Sequence, residues 1–166
     1  MNSDKWIFPL TLFGVLSCGL MAGIFFAFSA FVMQALARLP ADKGMAAMQS
    51  INTTILNSVF FLVFFGSTAA CVFAVIHSFR HWHAPGAVYL CAGGVLYLVG
   101  SFIVTVVFNV PMNDALAAVS PASHEGAKVW ANYLTNWTAW NHVRTITSLA
   151  ATAAFALALQ YRVPSA

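Results

Sequence analysis

From Ile7 to Met33 the chain carries no charged side chain, and the same holds from Gly44 to Phe79, from Ala84 to Asn113 and from Thr145 to Tyr161. Runs of this length, near the roughly 20 residues that cross a hydrocarbon core, leave few folds open. In lipid every backbone N–H and C=O must be satisfied internally, so such segments form helices or closed barrels, and these runs lack the two-residue alternation of barrel strands. With 61% hydrophobic and 7% charged residues and a mean hydropathy of +0.82, the chain lies far from soluble domains, whose charged share is about a quarter. The expectation is an all-α integral membrane protein of a cytoplasmic membrane: an up-and-down four-helix bundle forming one domain over 1–166. The spans fall at about 7–33, 51–76, 87–108 and 137–161.

The net charge of +3 comes from basic residues scattered through the connections, without the basic stripe that neutralises phosphates, so nucleic acid is not an expected partner. Cys18, Cys71 and Cys91 lie inside apolar runs and form no close-spaced ligand pair, which reads as small buried side chains. Lys5 precedes an apolar run too long for a signal-peptide core, so that run is expected to remain as the first span. Gly19 and Gly23, one helical turn apart, invite close helix packing within the bundle or between two copies, leaving a homo-oligomer open. His77, His81 and His83 cluster in one connection without a carboxylate or cysteine. They read as a polar interfacial turn anchored by Trp82 rather than as a metal site.

Polar residues collect at particular span ends. Span two opens with Gln49, Asn52, Thr53 and Thr54, and span three runs into Asn109-Val-Pro-Met-Asn113, where Pro111 should end the helix. Those asparagines suit either a capped helix end or the lip of a polar pocket. Ser120-Pro121 resembles a helix start, and no glycine or proline occurs from Ala127 to Val163. A single helix from about 121, outside the bilayer to about 136 and continuous with span four, follows. On it Trp130, Trp137 and Arg144 recur every seven residues with Tyr133 and Trp140 between them, and Asn141 lies one turn before Arg144. A guanidinium does not shed its proton on burial, so Arg144 must find partners unless it snorkels to water past interfacial aromatics.

In an up-and-down bundle the end of span one, the start of span two, the end of span three and the start of span four share one face. That face gathers Gln34, Asn52, Asn109, Asn113, Asn141 and Arg144. Amide groups, a fixed cation and the flat rings of Trp137 and Trp140 would suit a small lipophilic aromatic molecule bearing an oxygen anion.

Four stretches carry a family resemblance: Phe28-Ser-Ala-Phe-Val-Met33, Met48-Gln-Ser-Ile-Asn52, Asn109-Val-Pro-Met-Asn113 and Trp137-Thr-Ala-Trp-Asn-His-Val-Arg144. They resemble small four-span membrane proteins that include the anthrone oxygenases. The resemblance implies oxidation of an anthrone to an anthraquinone by molecular oxygen with no cofactor and no metal, the substrate's own carbanion reducing the oxygen. It also implies His142 as the base, since His142 is the histidine inside a matching motif, with Asn109, Asn113, Asn141 and Arg144 orienting the substrate. Beside this enzyme reading stand a non-catalytic binder or carrier of lipophilic molecules and an accessory membrane subunit.

Overall fold

The structure is a computed structural model that describes residues 4–56 and 58–161. Among the described residues it contains five helical rods and no strand: α1 (4–37), α2 (Ala41–Thr54), α3 (Ser58–Arg80), α4 (Ala87–Ala117) and α5 (His124–Gln160). All but α2 are long and apolar enough to cross a membrane. Side chains such as Leu16, Leu62 and Ile146 point outward, as lipid-facing positions require when no water drives them inside.

The packing is antiparallel throughout. Gly14 abuts Phe155, Gly19 abuts Thr152 and Asn141 reaches Phe25, which sets α1 against α5 in opposite directions. Gly93 against Phe155, Gly100 against Thr147 and Asn109 against Trp137 do the same for α4 and α5. On the other side of α4, Gly94 meets Cys71 and Phe64 meets Phe102. The four long rods thus close a ring in the order α1, α3, α4, α5.

Small residues let these backbones approach. At Gly94 a Cβ would press on the Cys71 carbonyl, and at Gly100 it would overlap the Thr147 side chain, so both positions exclude any larger residue without movement. The Phe155 ring fills the space that Gly14 and Gly93 leave. Gly19 faces Thr152, whereas a Cβ at Gly23 would meet nothing, so the two glycines do not share one packing face within the chain. Cys18, Cys71 and Cys91 are free thiols buried in the core, where Met21, Leu90, Tyr97 and Phe155 complete the central layer. The rings of His77 and His81 stack 4.3 Å apart, and no three His, Cys, Asp or Glu side chains among the described residues converge as a ligand set.

Three boundaries differ from the sequence expectation, each for a local reason. The stretch expected to start span two at Ile51 is a separate amphipathic helix. α2 buries Met45 and Met48 and exposes Lys43 and Ser50, so its polar face has no place in lipid, and the apolar span starts only at Val59. α5 starts at His124, with Ser123 rather than Ser120 as its cap: Ser123 Oγ accepts from Gly126 N at 2.9 Å, while Ser120 and Ser123 close a turn.

α4 does not stop at Asn109. Two widened π turns, Leu98–Ile103 and Thr105–Asn109, precede Pro111, so the missing N–H of the proline falls where α-helical bonding restarts and the rod continues to Ala117. These turns also fix alignment. In an α-helix a four-residue step overshoots a full turn by about 40°, so positions at that spacing drift round the rod. A π turn holds more residues and reverses the drift, which keeps Thr105, Asn109 and Asn113 directed at α5, where they meet Arg144, Trp137 and Tyr133. A further π turn, Phe28–Val32, lies in α1 opposite Asn141 and holds buried Ser29.

Candidate functional site: a cavity ending on a buried arginine

At the end of the bundle where α1 and α4 finish and α3 and α5 begin, a cavity of about 510 Å³ lies between the rods. Its apolar wall is mostly phenylalanine, with Phe25 and Phe28 from α1, Phe60, Phe61, Phe64 and Phe65 from α3, and Phe102 from α4. Its polar groups are Gln49, Asn52 and Thr53 of α2, Thr105, Asn113 and Asp114 of α4, and Arg144 of α5.

Arg144 is 5% exposed and held from several sides. Its Nη2 donates to Asn141 Oδ1 at 2.7 Å and its Nη1 to Thr105 Oγ1 at 3.3 Å. The guanidinium carbon stands 4.4 Å from the Phe25 ring centre and 5.0 Å from that of Trp137, within cation–π range. Asn141 is locked in turn: its Nδ2 donates to the Phe25 carbonyl and to Ser29 Oγ, both at 2.7 Å, and Ser29 pairs with Thr145 at 3.1 Å. Every one of these partners is neutral. The one ion pair among the described residues, Lys43 with Asp42, lies elsewhere. Nε of Arg144 and Nε1 of Trp137 are buried donors without an acceptor among the described residues, and both residues line the cavity.

Above the arginine an aromatic ladder climbs one face of α5. Trp137 stacks on Tyr133 and Tyr133 on Trp130, at 5.4 and 5.8 Å between ring centres. The sevenfold spacing of Trp130, Trp137 and Arg144 generates this ladder, and Met45, Met48 and Leu116 pack around it. Gln49 donates to the carbonyls of Leu116 and Val119 at 2.8 and 3.1 Å, which pins α2 across the end of α4 as a roof.

The asparagines gather here as the sequence suggests, in different roles. Asn109 is 1% exposed and donates to the Trp137 carbonyl at 3.2 Å, joining α4 to α5 without lining the cavity. Asn113 accepts from the Tyr133 hydroxyl at 2.8 Å, and Asn52 donates to that hydroxyl at 3.4 Å. Both line the cavity. Trp140 stacks on Phe108 at 3.7 Å and is not a lining residue, so Trp137 is the tryptophan that faces the space. Gln34 and His142 are exposed, and neither lines the cavity.

Sequence reasoning missed Ser29, Thr105, Gln49 and Asp114. A signal existed for Thr105, which stands four residues before Asn109 as Asn109 stands before Asn113. Ser29 could be placed only by the π turn that carries it.

No curated protein and no solved structure matches the chain. A family model described as anthrone oxygenase matches residues 60–154, which takes in most of α3, all of α4 and the part of α5 that carries Trp137, Asn141 and Arg144. That match covers more than half of the sequence, and the chain belongs to the anthrone oxygenase family.

Proposed function

We propose that the cavity binds a flat phenolic or enolic molecule of the polyketide type as its oxygen anion against Arg144, and that the chain oxidises it with molecular oxygen as an anthrone oxygenase does. The observation that carries this is a permanently charged guanidinium buried beside an empty-shaped apolar space with only neutral protein partners. Placing such a charge at membrane depth costs about 2.5–3.5 kcal/mol, and an anion from the ligand would offset much of it. Phe25, Phe28 and Trp137 supply the flat walls, and Asn113 and Asn52 supply amides towards the lip.

The chemistry asked of the protein is modest. An electron-rich anion, once formed, gives its electrons to oxygen; a carbon–oxygen bond forms at the former methylene carbon, and loss of water leaves the quinone carbonyl. Arg144 favours the anion over the neutral acid and so lowers the cost of the first step. His142 stands outside the lining, which supports loss of the proton to solvent or to a lip residue.

A second reading, a binder or carrier of lipophilic molecules, draws support from the same fact, since no histidine lines the cavity. The test uses purified protein with anthrone and an oxygen electrode. Protein-dependent oxygen uptake that falls at least tenfold in Arg144→Gln, with unchanged expression, supports the oxygenase. Saturable binding without uptake supports the carrier, and unchanged binding and uptake in the variant removes the anion site.

A further inference from the structure

We infer that the ligand enters sideways from the bilayer, through a slot between α3 and α4, and that it is a membrane-dissolved phenol or enol whose apolar tail remains in the lipid while its oxygen anion sits on Arg144. This rests on the anion site proposed above and adds the route and the substrate class.

The two rods pack closely where Gly94 meets Cys71 and remain in ring contact at Phe64 and Phe102. Beyond that level the cavity lies between them. Five of its lining side chains also face outward: Leu56 is 60% exposed, Phe61 39%, Phe65 51%, Val106 51% and Val110 41%. The lining residues of α1 and α5 have no such exposure; Phe25, Trp137 and Arg144 are buried. The opening is therefore lateral.

Its depth follows from its neighbours. From Val59 to Phe65 α3 carries only apolar side chains, and Val59 and Leu62 are 70% and 74% exposed, a surface suited to lipid and not to water. The aqueous end is obstructed. α2 is pinned over it by Gln49, and Met45, Met48, Trp130 and Tyr133 fill the space beneath. At the polar end of the slot stands Asp114, whose carboxylate repels an anion arriving from water. Arg144 is level with Thr105, nine residues and about 13 Å of helical rise from Asp114, so a ligand whose oxygen reaches the arginine lies alongside the apolar stretch of the slot.

A tail that passes from lipid, through the slot, back into lipid gains nothing by binding, because the bilayer is as apolar as the protein wall. Affinity expressed as mole fraction in lipid should then be independent of tail length, whereas a closed cavity of about 510 Å³ would reject long tails. The experiment measures saturable tryptophan quenching of the protein in phosphatidylcholine nanodiscs by 4-ethyl-, 4-octyl- and 4-dodecyl-2-nitrophenol, at a pH at which the nitrophenol is ionised. The expected result is mole-fraction Kd values within about threefold across the series. Val106→Trp, and Leu56→Trp on the facing wall, should weaken the dodecyl compound at least tenfold and the ethyl compound less than threefold. Binding of the ethyl compound also reports that each variant is folded.

A tenfold loss with length in the unsubstituted protein would overturn the slot and leave the anion site standing. A flat series that neither tryptophan disturbs would put the exit elsewhere and equally overturn it. No saturable quenching by any member would remove the anion site, and this inference with it.

Discussion

Replacing Arg144 by methionine should leave the bundle nearly as stable as before, while removing the acceptor Asn141 should not. The arithmetic is short. Holding a guanidinium at membrane depth costs about 2.5–3.5 kcal/mol. Against that stand one short charged hydrogen bond to Asn141, worth about 1.5–3 kcal/mol, and cation–π contacts with Phe25 and Trp137, about 0.5–2 kcal/mol each. The two sides nearly cancel, so Arg144→Met, which removes the charge and keeps most of the volume, should shift unfolding free energy by less than about 1.5 kcal/mol in either direction. Asn141→Ala keeps the charge, removes its best acceptor and also deletes the bonds to the Phe25 carbonyl and Ser29, for a loss of about 3 kcal/mol. Reversible unfolding in mixed detergent micelles, followed by circular dichroism, measures both. A loss above 3 kcal/mol in Arg144→Met would mean that the fold is built round the cation as a strut, and the argument that its charge awaits a ligand would fail.

Four further outcomes are expected. Gly100→Val drives methyl groups into Thr147 and should cost about 1–3 kcal/mol in the same unfolding assay; a neutral result would contradict the close α4–α5 approach. Gln49→Ala frees two carbonyls at the end of α4 and should speed amide exchange in α2 by about tenfold, the equivalent of roughly 1.4 kcal/mol, without changing exchange in α3. His142→Ala should keep oxygen uptake within about twofold of the unsubstituted protein, because the ring is exposed and outside the cavity; a tenfold fall would return His142 to the reaction. Trp137→Leu should weaken nitrophenol binding by about three- to tenfold through loss of one aromatic wall and its contact with Arg144, read from calorimetry rather than from fluorescence.

The membrane bundle was legible because hydrocarbon leaves a chain so little freedom: long uncharged runs must be helices, and short links must reverse them. The polar end was legible for the same reason, since amides and a cation are rare in such runs and alternation brings them to one side. What the sequence withheld depends on helical phase. Pro111 looks like a terminus until the π turn before it is known, and Ser29 and Thr105 look like ordinary span residues until widened turns aim them at Asn141 and Arg144. The break between α2 and α3 was hidden because Gln49, Asn52 and Thr53 run into the apolar span without any glycine or proline to mark a corner.

The widened turns of α4 act like a vernier cut into a rod. Each stores one surplus residue, so deletion of a single position such as Val107 would tighten Thr105–Asn109 into ordinary winding and swing everything beyond it by about 100°. Asn113 would leave Tyr133, Asp114 would leave the slot, and a chain one residue shorter, equally greasy and equally helical, would have its two halves out of gear.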